Sequence, residues 1–162
     1  MADARVGLIA DTHGHLRPAV FDALAGVERV IHAGDVEDSD HLADLEAIAP
    51  VTAVSGNVDG HAVRAVVPEE AVMDIAGVRV AVIHGHQVHP DYHVLLARFP
   101  DARVIVHGHT HVPRCDSVGD VLLVNPGAAG KFQKGYAPSV AILEVADGRP
   151  TVRHVNLEAI ED

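Results

Sequence analysis

The feature that most constrains the fold is a repeated alternation of short β-branched runs with segments rich in alanine and leucine. The runs RVGLIA (5–10), RVIHAG (29–34) and VTAVSG (51–56) suit buried strands, because β-branched residues pack well on a pleated surface. The intervening segments 17–25 and 39–48 carry apolar residues at helical spacing. This βαβ pattern predicts parallel strands with helices packed outside the sheet.

The later part of the chain follows a different pattern, in which strands are joined by tight turns. Turns are predicted at Ala76-Gly77, Gly119-Asp120 and Asp147-Gly148, since such pairs adopt the left-handed conformations that hairpins need. A helix near 91–98 and a strand at 102–108 precede the last two turns. The sequence therefore predicts an α/β fold, and we expect residues 1–162 to form a single domain.

The amino-acid composition excludes some classes of function for this protein. Of 162 residues, 12 are basic and 23 acidic, which gives a net charge of −11. This balance argues against a general nucleic-acid-binding surface, which needs clustered cations. No apolar stretch in the sequence approaches the roughly 20 residues of a membrane span, so we expect a soluble, cytoplasmic protein with no membrane partner.

Polar residues follow five of the predicted strands where each one ends. The stretches are LIADTH, VIHAGDVED, AVSGNVD, AVIHGH and VIVHGHTH. Because the carboxyl ends of parallel strands share one edge of a sheet, these side chains are expected to meet there. Polar caps that merely terminate strands would account for one or two such cases, but not for five of this composition.

The residue types at these strand ends are those that bind divalent metals: carboxylates, an amide oxygen and imidazoles. The seven candidate ligands are Asp11, His13, Asp35, Asn57, His84, His109 and His111. Seven ligands exceed what one catalytic ion uses. Two ions about 3.5–4 Å apart, bridged by a carboxylate, would use them all and leave room for water and substrate.

The order of these blocks resembles the calcineurin-like metallophosphoesterase superfamily, and in particular its small, single-domain prokaryotic phosphodiesterase branch. The resemblance is carried by Asp11-Thr-His13, Gly34-Asp35-Val-Glu-Asp38, Gly56-Asn57-Val-Asp59, His84-Gly85-His86, Gly108-His109-Thr-His111 and the turn NPGAAG (125–130). It implies a four-layer α-β-β-α sandwich, in which two mixed sheets are flanked by helices.

The resemblance also implies roles for the site residues. Asp11, His13 and His111 would hold the first metal. Asn57, His84 and His109 would hold the second, and Asp35 would bridge the two. A metal-bridging hydroxide would then attack phosphorus, with Asn57 also contacting a phosphoryl oxygen. Asp38 and Asp59 would orient ligand imidazoles. Manganese is favoured because mixed carboxylate and imidazole ligands are of intermediate hardness, although Zn²⁺, Fe and Ni²⁺ suit the same ligands.

One position departs from the wider superfamily. Many of its phosphomonoesterases have Gly-Asn-His, and the histidine is thought to protonate the leaving group, whereas this chain has Val58 there. The departure favours substrates with acidic leaving groups, or a catalytic contribution from His86 or His15. It also fits the phosphodiesterase branch, which generally lacks that histidine.

Alternative functions remain open at this point. VIHGHQV resembles the vacuolar-sorting retromer subunit of the same superfamily, a protein scaffold with a degraded metal site, and a phosphomonoesterase or a metal-storage module is a further alternative. Every ligand position is filled here by a competent residue, which favours the enzyme. The expected substrate is a small phosphodiester. Exposed hairpin edges would also allow a homodimer.

Overall fold

The computed structural model describes residues 3–88, 91–131 and 135–161. The strands are β1 (Ala4–Ile9), β2 (Arg29–His32), β3 (Val51–Ala53), β4 (Glu70–Ile75), β5 (Val78–Ile83), β6 (Val104–Val106), β7 (Arg114–Val118), β8 (Val121–Asn125), β9 (Ser139–Ala146) and β10 (Arg149–Asn156). The helices are α1 (Ala19–Ala23), α2 (Asp40–Leu45), α3 (His61–Arg64), α4 (Tyr92–Arg98) and α5 (Leu157–Glu161).

The strands form two mixed sheets. The order of the first is β10-β9-β1-β2-β3, and the order of the second is β4-β5-β6-β8-β7. β1, β2 and β3 run parallel, while β9 returns antiparallel to β1. In the second sheet β5, β6 and β8 are parallel, and antiparallel β4 and β7 form its edges. The candidate ligands follow parallel strands of both sheets.

Three apolar layers hold the elements together. Alternate residues of β1 and β5, such as Leu8 and Val82, fill the central layer between the sheets. Ile9 faces the other way and packs with Val20 of α1 on the outside of the first sheet. Leu95 of α4 covers the outside of the second sheet. This arrangement confirms the predicted α-β-β-α sandwich and follows from the period-two alternation of strand side chains.

The helices differ from the predictions more than the strands do. The helices predicted at 17–25 and 39–48 are shorter, and α3 and α5 were not predicted. Ser39 makes no side-chain cap hydrogen bond. Oδ1 of Asp38 instead accepts a hydrogen bond from the Asp40 amide at 3.0 Å, and its Oδ2 lies 3.7 Å from Nε2 of His41, which is not one of the candidate ligands.

The predicted hairpin turns are confirmed. Ala76 and Gly77 both have positive φ between β4 and β5, and Asp147 and Gly148 do so between β9 and β10, as two-residue turns of this kind require. Gly119 also has positive φ between β7 and β8. Within the described residues, no helix has the length and apolar character needed to cross a membrane.

Candidate metal centre

The candidate ligands converge between the two sheets. Three of the strand ends belong to the first sheet and two to the second, so the predicted single sheet edge is wrong. Backbone hydrogen bonds join the loops within each sheet, such as His13 N to Asp35 O at 2.9 Å and Gly108 N to His84 O at 3.0 Å. Between the sheets, Oδ2 of Asp11 accepts from the His109 amide at 3.0 Å.

The first ligand group consists of Asp11, His13 and His111, whose ligand atoms all lie within 4.8 Å of one another. Oδ1 of Asp11 lies 3.6 Å from Nε2 of His13 and 3.5 Å from Nε2 of His111. The two imidazole nitrogens are 3.2 Å apart. These are the three residues that the family resemblance assigned to the first metal.

The second ligand group consists of Asp11, Asp35 and His84, again within 4.8 Å. Nε2 of His84 lies 3.0 Å from Oδ1 of Asp11 and 3.2 Å from Oδ2 of Asp35. All three side chains are buried. Asp11 belongs to both groups, whereas the family resemblance gave the shared position to Asp35, which lies in the second group only.

The charges in this cluster fit a divalent cation. Burial opposes ionisation of Asp11 and Asp35, yet hydrogen bonds to histidines hold the pKa of each below its usual value. Burial also disfavours a charged His84, but its hydrogen bonds to both carboxylates raise its pKa to about 9. A buried pair of carboxylates needs compensating positive charge. The carboxylate oxygens and imidazole nitrogens of this cluster are suitable ligands for a divalent ion.

Backbone strain is concentrated at the same residues. Asp11, His13, Asp35, His109 and His111 all have positive φ, between 48° and 72°. Non-glycine residues rarely adopt this conformation, and each instance costs on the order of 1–3 kcal/mol. Positive φ at five of the seven candidate ligands indicates that these loops adopt a costly conformation because it brings the ligands together.

Two glycines allow the loops to approach one another. A Cβ placed on Gly56 would lie 2.1 Å from Oδ1 of Asp35, and one on Gly108 would lie 2.7 Å from Oδ2 of Asp11. Any side chain at either position would collide with a candidate ligand. The glycines of the Gly-Asn and Gly-His blocks are therefore part of the site's geometry.

Comparison with known proteins identifies the family. The family model of the calcineurin-like phosphoesterase superfamily domain matches residues 4–148. The chain belongs to this superfamily. It is 36% identical over 149 residues to a probable metallophosphoesterase of Methanothermobacter thermautotrophicus, covering 86% of this chain and 85% of that protein.

Two further relatives of this phosphoesterase chain bear on its activity. A phosphodiesterase of Methanocaldococcus jannaschii is 29% identical over 157 residues, covering 86% of this chain and 92% of that protein. The solved structure of vacuolar protein sorting 29 (Vps29) of Entamoeba histolytica complexed with Zn²⁺ is 26% identical, with a TM-score of 0.72 over 94% of this chain and 99% of that one. Proteins similar to this chain thus include one named a phosphodiesterase and a vacuolar-sorting protein.

The remaining predicted site residues of the phosphoesterase chain, including the expected ligand His109, lie outside the two ligand groups. Asn57 is exposed and lies between Gly56, which packs on Asp35, and Val58, whose amide donates to Oδ1 of Asp35 at 3.0 Å. The ring of His109 lies 5.2 Å from that of His84. Nδ1 of His86 lies 3.1 Å from Nδ1 of His84. His15 is exposed.

Asp59 supports the phosphoesterase site in a different way from the one predicted. Its Oδ2 accepts from the amides of Asp35 at 2.9 Å and Gly56 at 2.7 Å, and its Oδ1 accepts from the Glu37 amide at 2.7 Å. It is 3% exposed. Asp59 therefore joins the Gly-Asp and Gly-Asn loops through their backbones, where we expected it to orient an imidazole.

Sequence reasoning missed several supporting contacts of the phosphoesterase site. Nδ1 of buried His32 accepts from the Gly34 amide at 3.1 Å, and its Nε2 lies 3.0 Å from the Thr12 hydroxyl. Nδ2 of Asn125 donates to Gly108 O at 3.2 Å. Oε2 of Glu37 lies 2.9 Å from Nδ1 of His13. The only sequence signal for Asn125 was the NPG turn, and for Glu37 its place in the Gly-Asp block.

The pKa values of two buried histidines near the phosphoesterase site predict how the stability of the protein changes with pH. Burial lowers the pKa of His32 to about 4 and that of His107 to about 4. An unfolded histidine has a pKa of about 6.5, so the unfolded chain binds more protons between about pH 4 and 6.5. The free energy of unfolding of the metal-free protein should therefore fall as pH drops through this window, by up to about 1.4 kcal/mol per pH unit for each histidine.

Urea unfolding at about pH 7 and about pH 5 measures this dependence. His84 does not offset it: with a pKa raised to about 9, its stabilising contribution is fully present below the unfolded value. His107→Gln should flatten the slope, whereas His93→Gln at an exposed position of α4 should not. Equal slopes for wild type and His107→Gln would contradict the prediction.

Proposed function

We propose that this metallophosphoesterase-family protein is a dinuclear-metal phosphodiesterase that hydrolyses small phosphodiesters. The observation that carries the proposal is the presence of two overlapping ligand groups that share Asp11, with Asp35 and His84 completing the second. Catalysis by two metals needs two adjacent metal positions, about 3.5–4 Å apart. In this proposal Asp11, His13 and His111 hold one ion, Asn57, His84 and His109 hold the other, and Asp35 lies between them.

Divalent ions at these positions would stabilise charge on the phosphoryl group and lower the pKa of water. The chain's own residues orient the substrate. In this proposal the exposed side chain of Asn57 donates to a phosphoryl oxygen, and its neighbours Gly56 and Val58, which contact Asp35, hold its backbone. The contact of His86 with His84 places it at the side of the second position, where we propose that it contacts the substrate.

Two observations support a diester over a monoester. Val58, which stands at the position of the histidine thought to assist monoesterases and is 45% exposed, has no proton to give to a leaving group. The relative from Methanocaldococcus jannaschii is named a phosphodiesterase.

A second candidate function is a non-catalytic scaffold, and the likeness to Vps29 favours it. The buried Asp11, Asp35 and His84 and the strained ligand loops weigh against it, because a scaffold does not need to retain a costly cluster of this kind. We propose Mn²⁺ as the native metal because the donors are mixed oxygen and imidazole.

Hydrolysis of bis(p-nitrophenyl) phosphate after loading with Mn²⁺ tests the proposal. We expect metal-dependent turnover that a chelator abolishes, and a lower kcat/KM for p-nitrophenyl phosphate, which lacks the second ester. The same assay after loading with Zn²⁺ or Ni²⁺ compares the activity that each metal supports. A protein that binds Mn²⁺ but hydrolyses neither compound would support the scaffold, and faster hydrolysis of the monoester would make the enzyme a phosphomonoesterase.

A further inference from the structure

Glu37 is a charged residue that the proposed mechanism does not use. It follows Asp35 by two residues and has positive φ of 65°, which is uncommon for glutamate. Its side chain is 43% exposed, yet its Oε2 lies 2.9 Å from Nδ1 of His13. A long exposed side chain loses conformational freedom when it is held in one position, so this contact needs an explanation.

The backbone of Glu37 is held in place by contacts that do not involve its side chain. Its amide donates to Oδ1 of the buried Asp59 at 2.7 Å. The adjoining residues are tied to the His13 loop by His13 N to Asp35 O and Gly14 N to Val36 O, each at 2.9 Å. The two loops are thus already joined without the Glu37 side chain. Its contact with His13 is therefore not required to hold the loops together.

The chemistry of the contact determines which nitrogen of His13 is available to a metal. A carboxylate only accepts hydrogen bonds, so Nδ1 of His13 must carry the hydrogen. Nε2 is then the nitrogen with the lone pair. Nε2 is also the atom that faces the first ligand group, 3.6 Å from Oδ1 of Asp11 and 3.2 Å from Nε2 of His111.

The second position has a different partner behind its imidazole. Nδ1 of His84 contacts the imidazole of His86 at 3.1 Å, whereas His13 contacts a carboxylate. A carboxylate behind a ligand imidazole fixes its orientation and raises its basicity as a ligand. Of these two ligands, only His13, at the first metal position, therefore has a carboxylate behind its imidazole.

We infer that Glu37 is a positioning residue that holds His13 in the Nδ1–H tautomer, with Nε2 directed at the first metal position, and thereby strengthens divalent-ion binding there. The inference rests on the proposed dinuclear site. Glu37→Ala should weaken one of two binding steps by about 10–100-fold, as loss of such an outer partner does, and should leave the other step within about 3-fold, since His84 has its own partner.

Calorimetric titration of the metal-free protein with Mn²⁺ measures both steps without relying on activity. Glu37→Gln keeps an oxygen that accepts from Nδ1, so it should recover most of the lost affinity, which a purely charge-based effect would not. Asp40→Ala removes the same charge three residues along at an exposed position and should leave both steps unchanged. The proton spectrum of the Zn²⁺-loaded protein should show a hydrogen-bonded Nδ1–H resonance of His13 that Glu37→Ala loses and Glu37→Gln retains.

The outcomes separate the inference from the function on which it rests. If wild type binds two ions and Glu37→Ala binds both with unchanged affinity, the inference is overturned and the dinuclear site stands. An unchanged His13 resonance in Glu37→Ala would overturn it as well. If wild type binds fewer than two ions, the proposed dinuclear function fails and the inference falls with it.

Discussion

Asp35→Asn is expected to reduce phosphodiester hydrolysis by more than about 100-fold, because loss of a ligand should exceed the 10–100-fold cost of losing an outer partner. Oδ1 of Asp35 accepts from the Val58 amide, and Oδ2 lies 3.2 Å from Nε2 of His84. Asparagine can keep the first contact through its oxygen. Its NH₂ group then replaces the oxygen that faces the imidazole, and an amide NH₂ cannot bind a cation.

The fold should survive this substitution, since the side-chain volume is nearly unchanged and the contact with Val58 is retained. Turnover with Mn²⁺, calorimetric metal binding and circular dichroism together measure the effect. Asp40→Asn, an exposed acidic residue of α2, is the matched control and should behave as wild type. Near-native turnover of Asp35→Asn with both ions bound would show that Asp35 does not bridge the metals.

The strands were predicted well because their signal is local. β-branched runs such as RVGLIA coincide with β1 to within one residue at each end, and Ala76-Gly77 forms the turn that joins β4 to β5. Pairing between distant strands is not a local property. β9 pairs with β1 through contacts such as Ala4 with Val145, and no sequence pattern near either strand specifies this partner. The division into two sheets therefore came from the family resemblance and not from periodicity.

The short helices show the limit of periodic patterns. α3 contains four residues and α5 five, and one turn of helix carries too few apolar positions to establish a 3.6-residue repeat. α5 is stabilised by tertiary packing, since Leu157 is buried in the same layer as Val20. Packing of this kind outweighs weak local propensity in short helices.

The metal-ligating residues of the site were easier to predict than the contacts that hold the ligand loops in place. Ligand types are visible at strand ends, and the first ligand group of Asp11, His13 and His111 lies together as expected. The contacts of Asp59 with three amides and of Glu37 with His13 depend on loops whose backbones have positive φ. Because non-glycine residues rarely adopt this conformation, sequence reasoning does not anticipate it, and the partners that it brings together stay hidden.

Asp59→Ala is expected to lower both the stability and the activity of the protein. Asp59 is buried and accepts from the amides of Asp35, Gly56 and Glu37. Alanine would leave these three donors without an acceptor, at about 1–3 kcal/mol for each amide that stays buried. Since parts of the loops can reach water, we expect a loss of about 3–5 kcal/mol in the free energy of unfolding, measured by urea denaturation.

Activity should fall as well, because these amides position Asp35 and the Gly-Asn loop that carries Asn57. Asp59→Asn is the informative intermediate: its oxygen can serve Asp35 and Gly56 at the Oδ2 position, while its NH₂ would oppose the Glu37 amide. It should therefore lose less stability than Asp59→Ala. Asp74→Ala, an exposed carboxylate on β4, is the control for loss of charge and should change stability by less than about 1 kcal/mol. If Asp59→Ala unfolds at the urea concentration of the control, then its three amide contacts do not hold the ligand loops in place.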